Sequence, residues 1–187
     1  NKEKILGRGF KALRPESEYA DDVIAPPYDV LNSEEARALA EGKPFSFLHI
    51  SKPEIGLPKD ISADDPLVYK RGLENLESMI QKNILIRDEE ESLFVYKIAT
   101  KHHSQTGIAF VASIDAYDNN LIKKHEHTKP AKELDRIKNI KALNAQTGPV
   151  LLTYIDNTRL DNLINEYISE NEPMYSVVSK ADVHHKI

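Results

Sequence analysis

The sequence predicts an α+β fold: a mixed, mostly antiparallel sheet with helices packed against it, in a single domain spanning residues 1–187. Three observations carry that expectation. Several stretches open on an N-capping residue or an early proline and close on glycine or proline, the start and stop signals of helices. Between them lie short runs rich in Val, Ile, Phe and Tyr, bounded by turn-forming residues, which is how strands read. No internal repeat, low-complexity tract or long linker interrupts the pattern.

In chain order, Phe10-Lys-Ala-Leu-Arg-Pro15 is a short extended segment, and Glu16 to Val23 is one or two helical turns stopped by Pro26-Pro27. Those two prolines make Pro26-Pro27-Tyr28-Asp29-Val30 irregular and rigid. Asn32 or Ser33 caps a helix from about Glu34 to Glu41, which Gly42 and Pro44 end. Phe45, Phe47 and His49 read as one face of a buried strand. Asp64 or Asp65 opens the next helix with Pro66 in its first position, and Leu67, Tyr69, Leu73, Leu76, Ile80 and Ile84 form its apolar stripe. Leu93 to Ala99 and Gly107 to Tyr117 form a hairpin. Pro149 to Ile155 is an apolar strand, Asp156 or Asn157 caps a helix over 159–169, and Pro173 begins a last strand.

Composition narrows the function. A net charge of −5 argues against nonspecific binding to nucleic acid or anionic membranes. No run approaches the ~18 apolar residues of a membrane helix. The chain has no cysteine, so disulfides, thiolate metal sites and cysteine nucleophiles are excluded. A cytoplasmic protein is the expectation.

The chemistry concentrates in residues 121–149. Leu121 and Ile122 read as a short strand edge, followed by Lys123-Lys124-His125-Glu126-His127 and then a helix capped by Thr128, with Pro130 in its first turn. Gly148-Pro149 is the expected stop. Leu134, Ile137 and Ile140 recur at helical spacing as the buried face, leaving Lys132, Asp135, Arg136 and Asn139 on the other side. Helix N-termini favour anions, and neighbouring cations reinforce the sign. The expected phosphate or carboxylate site therefore comprises Lys124, His125, His127, Thr128, Lys129 and Arg136. Glu126, Asp29 and Asp135 are the candidate bases or magnesium ligands. His125 and His127 also have the spacing of a metal pair, but such pairs arise often by chance, and no metal site is assigned. A solvated helix face is the alternative reading of the same cluster. P-loop, dinucleotide-binding, serine-elbow and zinc-helix motifs are absent.

Six segments occur in an order that resembles a known family: Phe10-Lys-Ala-Leu-Arg-Pro15, Pro26-Pro-Tyr-Asp-Val30, Ser46-Phe-Leu-His-Ile-Ser-Lys-Pro-Glu54, Lys124-His-Glu-His-Thr128, Asp135-Arg136 and Leu143-Asn-Ala-Gln-Thr-Gly-Pro149. The chain resembles the bacterial and archaeal domain-of-unknown-function family 1015 over nearly its whole length. The resemblance implies a protein roughly twice as long, of which this chain is the N-terminal portion. It also implies a second half with an Asp-Gly-His-His-Arg motif similar to ParB/sulfiredoxin-like proteins, among them free-serine kinases. That motif is absent here, since His184-His185 is flanked by Val183 and Lys186. The implied function is a phosphate- or nucleotide-handling enzyme of the small-molecule-kinase type, using magnesium and a nucleotide when intact. Its partners are a small anionic ligand or nucleotide and the C-terminal half. The alternative is a non-catalytic ligand-sensing or protein-interaction module.

Overall fold

A computed structural model describes residues 6–124, 128–179 and 182–187. In chain order, β1 (Gly7–Arg8) and β2 (Leu13–Pro15) precede α1 (Ala20–Val23), α2 (Ser33–Ala40), α3 (Leu48–Ser51) and α4 (Pro66–Gln81). Then come β3 (Leu85–Arg87), β4 (Phe94–Ala99), β5 (Ser104–Ala109), β6 (Val111–Ala112), α5 (Ile114–Asp118), α6 (Pro130–Leu143), α7 (Thr158–Glu170), β7 (Ser176–Ser179) and β8 (Val183–Lys186). The fold is α+β, and every strand pair with a defined register is antiparallel. The chain divides into two compact units. One comprises Asn1–Leu13, Arg87–His125 and Leu151–Ile187, the other Arg14–Ile86 and Glu126–Val150.

The second unit is mainly helical and holds most of the buried apolar residues. The capped starts predicted for α2 and α4 are present. Asn32 forms a reciprocal capping box with Glu35, and Asp65 accepts from the Leu67 N–H with Pro66 at the first position. Ala36, Ala40, Leu48 and Ile55 pack into one cluster, with Ala25, Leu31 and Leu39 against it. Leu48 and Ile50 are fully buried, each worth about 1.5–3 kcal/mol of transfer free energy. Arg37 ties α2 to the turn after α3 by donating to the carbonyls of Glu54, Ile55 and Leu57. Buried Glu54 accepts from Ser33 Oγ at 2.9 Å and pairs with Lys52 at 3.0 Å, which meets the requirement that a buried charge be partnered.

Two expectations in this unit are corrected. The 45–50 run is not a strand, because the amides of Ile50 and Ser51 bond back to the Phe47 carbonyl and make a helical turn. Short apolar runs fit either periodicity, and the eight residues between Pro44 and Pro53 hold a short helical turn as readily as a strand. The stripe of α4 is also rotated: Val68, Tyr69, Gly72, Leu76 and Met79 are buried, whereas Leu67 and Ile80 are exposed.

The first unit centres on a four-stranded sheet in the order β5-β4-β8-β7. Phe94 opposes Ala109 and Ala99 opposes Ser104 in the predicted hairpin, but β5 begins at Ser104, inside the stretch expected to be turn. The predicted second strand also ends early, since Ser113 caps α5 instead. Asn157 caps α7 as expected. Two other expectations fail here. Leu121 and Ile122 are not a strand edge; their amides close the end of α5 on the Ala116 carbonyl. Residues 149–155 join no sheet among the described residues, and Ile155 is 93% exposed. Three helices end on an asparagine in the left-handed region, Asn83 after α4, Asn120 after α5 and Asn144 after α6.

Candidate functional site

A tyrosine in an apolar stripe buries its ring but still needs a partner for its hydroxyl. Tyr69, on the buried face of α4, donates to Asp135 Oδ1 at 2.7 Å. Burial first, and then that bond, push the Tyr69 phenol up to about 12, so it remains a donor across the physiological range. The other oxygen of Asp135 accepts from Arg136 Nε at 3.1 Å and Nη2 at 2.6 Å. The Arg136 guanidinium lies over Tyr28, 3.8 Å from the ring centre. One side chain after another, Tyr69, Asp135, Arg136 and Tyr28 form a single connected network.

This network explains why α6 presents the opposite face from the one its periodicity predicts. Asp135 and Arg136 are half-buried and Asn139 and Leu143 are buried, while Leu134, Ile137 and Ile140 are exposed. Burying charges is favourable only when each finds a partner, and here Tyr69, Tyr28 and the ion pair itself supply them. Asn139 accepts from Thr147 Oγ1 at 3.4 Å, a contact at the long end of the hydrogen-bond range. Gly72 on α4 marks a close approach of the helix to its neighbours. A Cβ there would lie 2.9 Å from Pro53 Cγ and 3.5 Å from Leu143 Cδ2.

The helix mouth also differs from expectation. Thr128 is not the N-cap. Lys129 holds that position, with no side-chain bond to the helix, and Pro130 follows. The amides of Lys132 and Glu133 both point to the Lys129 carbonyl, so these first-turn donors are already used. The helix ends at Asn144 rather than Gly148, because Asn144 takes the left-handed conformation that closes it. Thr128 and Lys129 are exposed, as is Asp29, the neighbour of Tyr28 in its turn. Lys124 belongs to the other unit, where its ammonium stands 4.5 Å from the centre of the Tyr117 ring. His125, Glu126 and His127 lie outside the described residues. Among the described residues, no group of three or more histidines, aspartates and glutamates has the arrangement of a metal site.

Asp135 and Arg136 are thus brought together, but with each other and with two tyrosines that the sequence did not assign to a site. The available signal was the hydroxyl of Tyr69 inside an otherwise apolar stripe.

A family model described as a protein of unknown function, DUF1015, matches residues 8–187. The chain belongs to this family. No match was found among curated proteins or among solved structures. Several of the segments that suggested DUF1015 meet at the network. Pro26-Pro-Tyr-Asp-Val30 contributes Tyr28, Asp135-Arg136 contributes the ion pair, Pro53 flanks Gly72, and the segment from Leu143 contributes Leu143 and Thr147. In this DUF1015 chain four of the six family segments contribute to the packing around α4 and α6.

Proposed function

We propose that this chain is the binding part of a phosphate- or nucleotide-handling protein, with Arg136 as the cation that holds the ligand. The observation that carries this reading is how Arg136 is held. Nε and Nη2 are turned to Asp135 and the ring of Tyr28 supports one face. The described contacts leave the Nη1 edge for a ligand, and the side chain is 27% exposed. A planar guanidinium fixed in this way offers a fork that matches phosphate or carboxylate oxygens. On α6, Lys132, Lys138 and Lys141 join Arg136 against Glu133 and Asp135, so the helix carries an excess of positive charge. Asp135 is fully engaged and positions Arg136. Asp29 is the exposed carboxylate that a magnesium-bound nucleotide would meet if the intact protein transfers phosphoryl groups.

The test is thermal stability of the purified chain with inorganic phosphate, ADP and ATP, each with and without magnesium. A bound ligand raises the melting temperature by mass action. Arg136→Lys keeps the charge but loses the fork, and should abolish the shift. No shift in the wild type would refute ligand binding, and a shift retained in Arg136→Lys would refute the role of Arg136.

The outward apolar stripe of α6 favours a second reading, a protein-interaction module. Its partner would be the second half expected for the intact protein. Leu134→Ser with Ile137→Ser should then weaken binding of that half when it is supplied as a separate chain, and unchanged binding would refute this reading.

A further inference from the structure

Residues 150–155, Val-Leu-Leu-Thr-Tyr-Ile, have the composition of a strand but join no sheet among the described residues. Val150, Leu151, Tyr154 and Ile155 are 77%, 78%, 57% and 93% exposed. No backbone hydrogen bond joins this segment to the described residues. A run of β-branched, aliphatic and aromatic side chains whose N–H and C=O groups bond to no described backbone is a template for strand addition. The chain also supplies a matching edge. Among the described residues β5 pairs with β4 alone, leaving half of its backbone groups facing outward. Both segments are six residues long. Neither contains a charged residue, in a chain of which 29% is charged, so neither has the lysines that usually block edge pairing. The other sheet edge, β7, is only four residues long.

We propose that residues 150–155 of one copy add as a strand to the β5 edge of a second copy. A second copy is the fitting occupant because residues 151–155 and β5 belong to the same compact unit yet do not pair among its described residues. Both halves of the match also lie on this chain, so two copies can exchange strands reciprocally and close as a dimer.

The test is sedimentation of the purified chain over a concentration series, with the wild type expected to dimerise. Thr153→Pro removes a backbone donor in a segment whose backbone bonds to none of the described residues. It should weaken dimerisation about tenfold or more while leaving the helical circular dichroism unchanged. Because the chain has no cysteine, Thr106→Cys and Thr153→Cys variants can be mixed and oxidised, and a covalent heterodimer is expected. A monomeric wild type, or a dimer that Thr153→Pro leaves intact, would overturn the proposal. So would cross-linking confined to pairs of Thr153→Cys chains.

Discussion

Removing one oxygen from Tyr69 gives the sharpest test of the α4–α6 packing. Tyr69→Phe keeps the buried ring and deletes the donor to Asp135 Oδ1. Hydrogen bonds to charged groups contribute about 1.5–3 kcal/mol. The Asp135 carboxylate is 37% exposed and keeps both bonds from Arg136, so water can partly replace the phenol. That discounts the loss to about 1–2 kcal/mol. For a chain of this length each kcal/mol moves the melting temperature by about 2–4 °C, so Tyr69→Phe should melt a few degrees lower. The pH dependence provides a second, independent reading. The folded phenol is raised to about 12 from an ordinary 10.0. Its stabilisation is therefore fully present below pH 10 and fades as pH rises towards 12. Urea unfolding of both proteins from pH 7 upward should show a constant gap to about pH 10, narrowing beyond it. Equal stability at pH 7, or a gap that widens above pH 10, would refute this account of the network.

Four further outcomes follow from the structure. Gly72→Val should cost about 2–3 kcal/mol through overpacking against Pro53, read as a lower urea midpoint, whereas a neutral result would mean that the α4 contact yields easily. Lys129→Asp should stabilise α6 by about 1 kcal/mol by supplying the missing cap. Thr128→Ala should change the melting temperature little, and a large loss would restore Thr128 as the cap. His185 bonds to Tyr96 through Nδ1 and to Ser179 through Nε2, and burial, with a smaller contribution from His184, holds its pKa below the ordinary 6.5. A depressed histidine leaves stability intact above pH 6.5 and reduces it as pH falls below, because the unfolded chain takes up the proton first. The protection of the β8 amides, expressed relative to the intrinsic exchange rate at each pH, should fall below that pH in the wild type and much less in His185→Gln.

What could be read in the chain beforehand depended on how local the determining physics was. The starts of α2, α4 and α7 were legible because a capping side chain and the amides it serves lie within three residues. The face of α6 was not. Periodicity assigns Leu134, Ile137 and Ile140 to the core, but the inward turn of Asp135 depends on Tyr69, a partner 66 residues away. The same limit applies at the site. Asp135 and Arg136 stood out by their charge, while Tyr28 and Tyr69 passed as a rigid turn and a stripe residue until their partners were known. Runs such as 45–50 and 149–155 read as strands because apolar character alone does not specify what a segment packs against.

The asparagines that end α4, α5 and α6 offer a route to a different quantity. Each adopts positive φ, a conformation that glycine takes without steric cost, so Asn83→Gly, Asn120→Gly and Asn144→Gly should each stabilise by about 1 kcal/mol or less. Asn83 and Asn144 lie in the helical unit and Asn120 in the sheet unit. Substituting them separately strengthens one body at a time without altering a buried side chain. If the chain unfolds in one cooperative step, either kind of substitution moves the whole transition. If it unfolds in two, each moves only its own.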